Sequence, residues 1–260
     1  MASDKDLFLN LGHLSGLGMA DLNRDDSTPY MRAGTIAWVV DAFGPRIVKY
    51  IRCVQSGGMA KGELAAYASD GANVKSTSVA NITSGTTTSF VTSGLTADRH
   101  VGMISWVLDS AQGTGIAPEG ESSIVASNTA TSVKMEPTYP YSVALAANDD
   151  IELIATYQVE DSADGDESWT CAGIVLGRDG ISNLNYGWIQ LEGTTPALSA
   201  NSATEGDACV ADAAQVGPFG SDGHELWIGV YLGATSTDEV LKQVPIQIKL
   251  FSYEHSGGTP

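Results

Sequence analysis

Residues 35–54 read TIAWVVDAFGPRIVKYIRCV, with an apolar run on each side of a Phe-Gly-Pro turn. Both runs are rich in β-branched and aromatic residues, which fit the pleated surface of a sheet. Alternation along the second run puts Val48 and Tyr50 on one face and Ile47 and Ile51 on the other. A Gly-Pro pair between two such runs is typical of a tight turn. The stretch therefore predicts a β-hairpin.

The same strand-like pattern recurs along the rest of the chain, at 99–108, 121–126, 150–159, 170–176, 184–192, 226–232 and 244–253. Only 4–11 and 59–66 have helical character, and no amphipathic stretch of 10–15 residues separates the strands. Short strands with Gly, Asn and Asp between them are typical of sandwiches and barrels. The sequence therefore predicts a mainly β protein, an antiparallel β-sandwich or barrel with two β lobes and few short helices.

Shifts in composition suggest where the lobes begin and end. Residues 1–30 precede the first clear strand and are expected to form an N-terminal arm. The first β lobe is expected at 31–160, including a Ser/Thr-rich segment at 71–97, and the second at 169–260. Pro245 cannot donate to a ladder, so it is expected at a strand start or an edge.

The charge balance excludes two classes of partner. The chain of 260 residues has 13 Lys and Arg against 31 Asp and Glu, a formal net charge of −18. Nucleic-acid binding needs clustered cations that neutralise phosphates, and docking on anionic lipid needs a basic patch. The sequence therefore predicts neither a nucleic-acid partner nor a membrane partner.

Candidate chemistry is sparse. Cys53, Cys171 and Cys209 are widely spaced, which favours three buried thiols over a disulfide framework or a zinc site. The acidic loop at 161–168 has oxygen ligands suited to Ca²⁺ in its side chains Asp161, Asp164, Asp166 and Glu167. The loop lacks the spacing of an EF-hand, so a solvated loop is the main interpretation and a weak Ca²⁺ site the alternative. No cofactor and no catalytic residue is predicted.

Several short patterns together carry a resemblance to a known class of protein. They are Gly34-Thr35-Ile36 with 46–53 and 61–64, then 118–121 with 128–130 and 144–150, and finally 171–175 with Tyr186-Gly187-Trp188-Ile189-Gln190 and Gly193. With these patterns the chain resembles structural proteins of tailed bacteriophages, in particular capsid decoration (cement) proteins. The Tyr-Gly-Trp-Ile-Gln element is the most specific of them.

The resemblance implies a non-enzymatic virion protein, made in the host cytoplasm, that binds the outer surface of the head and stabilises it. Its partners would be the major capsid protein and further copies of itself, with a trimer favoured. The alternative is a tail- or fibre-associated virion protein that binds a host-surface glycan through aromatic side chains. A β-jelly-roll hydrolase is a third interpretation.

Two segments are candidate interfaces. Residues 186–190 are expected to form a strand with Tyr186 and Trp188 on one face, serving either as core or as an interface anchor. The N-terminal arm carries the apolar residues Leu7, Phe8, Leu9 and Leu11. Apolar surface on a free end is a liability, so the arm is expected to pack on a neighbouring subunit or on the capsid. The alternative is an arm folded back on its own sheet.

Overall fold

The computed structural model describes residues 19–41, 44–68, 76–79, 82–161, 171–199, 204–212, 215–218, 228–232 and 242–249. Regular structure in these ranges is almost entirely β-strand, which confirms the mainly β prediction. In chain order the elements are α1 (Met19–Leu22), β1 (Ile36–Asp41), β2 (Gly44–Cys53), β3 (Leu64–Tyr67), β4 (Ser76–Val79), β5 (Ser84–Gly85), β6 (Ser89–Val91), β7 (Ile104–Asp109), β8 (Ser122–Asn128), β9 (Ser132–Met135), β10 (Asp150–Ile154), β11 (Gln158–Asp161), β12 (Cys171–Val175), β13 (Tyr186–Ser199), β14 (Ala208–Asp212), β15 (Gln215–Pro218), β16 (Gly229–Tyr231) and β17 (Lys242–Lys249).

The chain divides into two compact units. The first comprises Met1–Ala66 with Glu160–Pro260, and the second is Tyr67–Val159. This division differs from the lobes expected at 31–160 and 169–260. It differs because β2 and β3 pair with β13 and β12, which follow residue 160, so the second unit is inserted between strands of the first.

The sheet of the first unit is organised around the long strand β13. Its strand order is β1-β2-β11-β3-β12-β13-β15-β14-β16-β17, with further pairings of β13 with β2 and with β17. These extra pairings close two rings of five strands that share β13. Residues up to Glu192 pair with β2, and residues from Glu192 onward pair with β17.

A glycine lies where β13 passes from one ring to the other. Gly193 has a φ of 103°, and a Cβ on it would lie 2.6 Å from the carbonyl oxygen of Pro45. An L-residue is strained at this φ and would also collide with backbone. Gly193 therefore allows β2 and β13 to approach closely at the junction.

The predicted hairpin is confirmed by the antiparallel pair β1–β2, which runs from Ile36 opposite Lys49 to Asp41 opposite Gly44. Val48 and Tyr50 share a buried cluster with Ala37 and Val39, as their alternation predicts. The other face of β2 is buried as well, including Ile51 and Cys53.

The described part of the N-terminal arm lies on the chain's own sheet. Leu22 of α1 is buried in the same cluster as Ala37, Val48 and Trp188. Asp26 forms an isolated antiparallel bridge with Tyr186, with backbone hydrogen bonds of 2.9 and 2.8 Å. For residues 19–30 this corresponds to the folded-back alternative, because they cover apolar side chains that would otherwise be exposed.

The second unit is a seven-stranded sheet in the order β4-β10-β7-β8-β9-β6-β5. Its buried side chains include Phe90, Val107, Val125 and Leu153. Tyr141 packs under the sheet and its hydroxyl donates to the Oγ of Ser105 at 2.7 Å, which satisfies two buried polar groups.

The helix predicted at 59–66 is wrong. Met59 forms an isolated antiparallel bridge with Ile181, and a turn at 61–62 leads into β3. Gly62 has a φ of 84°, outside the helical region, and the Glu63 carboxylate accepts a hydrogen bond from the Ala60 amide at 2.6 Å. The other predicted helix, 4–11, lies outside the described residues.

Candidate functional site

Trp188, a predicted interface candidate, is a core residue in this structure. Its side chain is completely buried, and its ring centroid lies 5.1 Å from that of Tyr50 on the neighbouring strand. The indole N–H donates to the Tyr30 hydroxyl at 3.2 Å. Tyr186 lies on the same face, half-buried, and stacks on Tyr50 with centroids 6.0 Å apart. The strand expected at 186–190 is confirmed, and its Trp serves the core.

The glycine inside this element, Gly187, has close neighbours on both the loop and the N-terminal segment. A Cβ on Gly187 would lie 2.7 Å from Ile181 Cδ1 and 3.2 Å from the carbonyl oxygen of Arg24. The backbone at Arg24 can therefore pass directly against β13 on the face of Gly187, which is opposite the face of Trp188.

Charged side chains make two sets of contacts in the N-terminal segment at residues 24–30. The Arg24 guanidinium donates to both carboxylate oxygens of Asp26, at 2.7 and 2.9 Å, and lies 4.1 Å from the Tyr30 ring centroid. The Asp25 carboxylate accepts from the Ser182 amide at 2.9 Å and from its hydroxyl at 2.5 Å. The first set of contacts lies within residues 24–30, and the second joins the segment to the loop at Ser182.

The pKa shifts in this cluster indicate structural groups. Burial raises the pKa of Tyr30 to about 12 and raises that of Tyr50 as well, so both hydroxyls stay neutral near pH 7. Burial acts to raise the pKa of Asp25, but hydrogen bonds from Ser182 and Asn185 outweigh it and the net pKa is lowered. None of these groups is tuned toward neutral pH, where a general acid or base works.

Two of the three cysteines are held as neutral thiols. All three are buried and no disulfide joins them, as the sequence predicts. Burial raises the pKa of Cys53 to about 11 and that of Cys209 to about 12. The nucleophile and metal ligand is the thiolate, and burial keeps these two thiols protonated.

Only one of the four candidate Ca²⁺ ligands lies in the described part of the chain. Asp161 is the last residue of β11, whereas Asp164, Asp166 and Glu167 lie outside the described residues. Across the described ranges, no group of three or more His, Cys, Asp and Glu side chains could hold a metal ion. The Ca²⁺ site at the acidic loop stays a prediction.

The second unit exposes an apolar patch on one face of its sheet. Trp106 and Leu108 of β7 are 40% and 44% exposed. Ile104, on the same face, lies opposite Ile154 of β10 and Ile124 of β8, and all three isoleucines are partly exposed. We call these five residues the β7 patch. Exposed apolar residues grouped on a sheet face make this patch the candidate binding surface of the second unit.

The first unit exposes a second apolar row, on β1. Ile36, Trp38 and Val40 are 38%, 45% and 43% exposed, while Ala37 and Val39 between them are buried. Sequence reasoning missed both this row and the β7 patch. The runs IAWVV and ISWVL have apolar residues on both faces, which also fits a strand buried on both faces. The sequence feature that could have indicated these two exposed surfaces is the Trp in each run, Trp38 and Trp106.

The remaining interface candidates, Leu7, Phe8, Leu9 and Leu11, lie outside the described residues. A bilayer-spanning helix is absent from the described part of the chain. The chain matches no protein-family model and no curated protein, and no solved structure matches it.

Proposed function

We propose that the chain is a non-enzymatic structural protein of a tailed-bacteriophage virion, a capsid decoration protein that binds the outer surface of the head and stabilises it. The observation that carries this proposal is the β7 patch. The motifs that resemble decoration proteins suggest the partner, the major capsid protein, and further copies of this chain, with a trimer favoured.

The patch has the composition of a protein interface. Apolar and aromatic residues occupy its centre, with Trp106 flanked by Glu152 on β10 and Ser122 on β8 as polar neighbours. Interfaces commonly combine an apolar centre with a polar rim, and a buried Trp is a frequent anchor. Covering the half-exposed Trp106 and Leu108 with a partner would remove this apolar surface from water.

The charge supports a position outside the shell. A net charge of −18 favours solubility at high copy number and disfavours contact with packaged DNA. Buried thiols without a disulfide fit synthesis in the reducing host cytoplasm. The proposed location is therefore the outer capsid surface of the virion.

The experiment is co-sedimentation with heads of the encoding phage that lack the protein. The wild-type chain should bind to saturation at a ratio that matches shell symmetry. Leu108→Glu and Trp106→Glu should weaken binding by about 30-fold or more, since a central anchor is worth about 2 kcal/mol. Val230→Glu, at an exposed apolar position of the first unit, is the matched control and should bind normally. Absence of saturable binding would reject the proposal.

One observation favours a second function, glycan binding by a tail- or fibre-associated protein. Trp106 presents an exposed ring between a carboxylate and a hydroxyl, an arrangement that can stack on a sugar and bind its hydroxyl groups. A glycan array separates the two functions. Binding of a defined glycan that Trp106→Ala abolishes, without head binding, would favour this alternative.

A further inference from the structure

One end of the β7 patch carries two facing carboxylates. Asp109 follows Leu108 on β7 and lies opposite Asp150 of β10. The register shifts between this pair and the next, Ile151 opposite Val107, so Leu108 is the extra residue of a β-bulge. Asp109 is exposed and Asp150 is partly buried. The apolar surface at Leu108 therefore ends directly at a pair of acidic side chains.

This pair costs stability in the isolated chain. Like charges directly opposite each other on neighbouring strands are destabilising. The Oδ1 atom of Asp150 is also shielded from solvent and has no hydrogen-bond partner among the described residues, whereas buried polar atoms normally have one. A cation beside Asp109 and Asp150 would offset this cost, because a partly desolvated carboxylate gains more from an opposite charge than a solvated one.

A third carboxylate borders the patch on the side of β9. The Glu136 amide donates to the Ile124 carbonyl at 2.8 Å, next to the pair of Val125 and Met135. Side chains alternate along a strand, and Val125 and Met135 are buried, so Glu136 shares the outer face with the patch residue Ile124. Glu136 is exposed and is thus available to a partner that covers the patch.

The basic residues of the second unit do not balance this border. Its described residues include two, Arg99 and Lys134. Lys134 pairs with Ser127 and Ser89, and Arg99 precedes β7 in a turn, so neither lies opposite a residue of the patch. With Glu152 opposite Trp106, the border of the patch is acidic on both sides and at the Leu108 end.

We propose that the β7 patch binds a surface with an apolar centre and basic margins, with one Lys or Arg against Asp109 and Asp150 and another against Glu136. This inference rests on the proposed function and specifies the chemistry of its partner on the outside of the shell. The exposed apolar side chains provide the contact, and the carboxylates select the partner by charge. A second copy of this chain is a poorer match, because it brings the same acidic border.

The first test separates binding from stability. Asp109→Asn and Asp150→Asn each remove one of the facing charges with little change in shape. Each should weaken binding to heads that lack the protein by about 5-fold, and each should leave the melting temperature unchanged or raise it. Glu136→Gln should weaken binding by about 3-fold. Glu205→Gln, at an exposed carboxylate of the first unit, changes the net charge equally and should bind normally.

The second test is the salt dependence of the same binding. Raising NaCl from about 50 to 500 mM should weaken wild-type binding by about 10-fold, because salt screens charges at the margin of an interface. A chain that combines Asp109→Asn, Asp150→Asn and Glu136→Gln should bind more weakly at low salt and respond less to added salt.

The outcomes distinguish this inference from the proposed function. Head binding that the three carboxylate variants leave unchanged, or that salt does not alter, would overturn the inference and leave the proposed function standing. A melting temperature lowered by both Asn variants would also overturn it, because the carboxylates would then be structural. Self-association in sedimentation equilibrium that Leu108→Lys abolishes would assign the patch to a second copy and overturn it too. Absence of head binding by the wild-type chain would reject the proposed function, and this partner with it.

Discussion

Replacing Trp188 by Ala should strongly destabilise the first unit. The indole is completely buried among Tyr50, Leu22 and Val39. Truncating a buried Trp removes its transfer free energy and leaves a cavity, a loss of about 3–5 kcal/mol. The hydrogen bond to Tyr30 adds little, because the Tyr30 side chain is 37% exposed and its hydroxyl can bind water.

Urea unfolding followed by circular dichroism measures the loss. Trp38→Ala, which truncates a Trp that is 45% exposed, is the control and should cost less than about 1 kcal/mol. Trp188→Phe keeps a ring in the core and should cost about 1–2 kcal/mol. If Trp188→Ala is no more destabilising than Trp38→Ala, Trp188 is not the core residue described here.

Three further predictions concern single contacts. Asp149 is fully buried and accepts backbone hydrogen bonds from Ala111 and Ala146 at 2.8 and 2.7 Å, so Asp149→Ala should cost about 1–3 kcal/mol of unfolding free energy in urea. Gly193→Ala should lower the melting temperature, because the left-handed φ and the Pro45 carbonyl oxygen both oppose a Cβ; an unchanged melting temperature would contradict this. The folded-state pKa of Asp25 is below its ordinary value of 3.8. The stability that the ionised carboxylate contributes to the fold is therefore present above pH 3.8 and is lost as the pH falls through the folded pKa. Hydrogen exchange of the Ser182 amide should accelerate there, and an Asp25→Asn chain should show no such acid-dependent step.

The hairpin β1–β2 could be predicted because its signal is local. A Gly-Pro turn and alternating side chains determine the pairing of neighbouring strands. The burial of both faces of β2 could not be predicted, because it depends on β13, which lies more than 130 residues further along the chain. No local feature of Val48 or Ile51 specifies that partner.

The length of β13 was also not predictable. Gly193 and Pro196 are normally strand breakers, so the predicted strand ends at 192. In the structure Gly193 allows the close approach of β2, and Pro196 lies opposite Pro245, so the strand continues to Ser199. A non-hydrogen-bonded pair accepts two prolines because its N–H groups point away from each other. Pro245 lies inside β17 and not at a strand start, but β16 pairs only with residues 246–248, so among the described strands Pro245 lies at an edge, the other position predicted for it.

The β7 patch and the exposed row on β1 could not be predicted for a related reason. A strand such as Ile104–Asp109 has apolar residues on both faces, and sequence alone does not say which face another part of the chain covers. Trp188 and Trp106 occupy similar strand-like contexts in the sequence, yet one is buried and the other is exposed. Burial depends on the tertiary neighbours of each strand.

The central claim is that the β7 patch binds the outside of a phage head. A cryo-electron-microscopy reconstruction of heads incubated with the protein tests it most directly. We expect ordered density outside the shell at symmetry-related positions, with Trp106 and Leu108 facing the major capsid protein. Heads that show no added density at saturating protein, or density in which β7 faces solvent, would contradict the account.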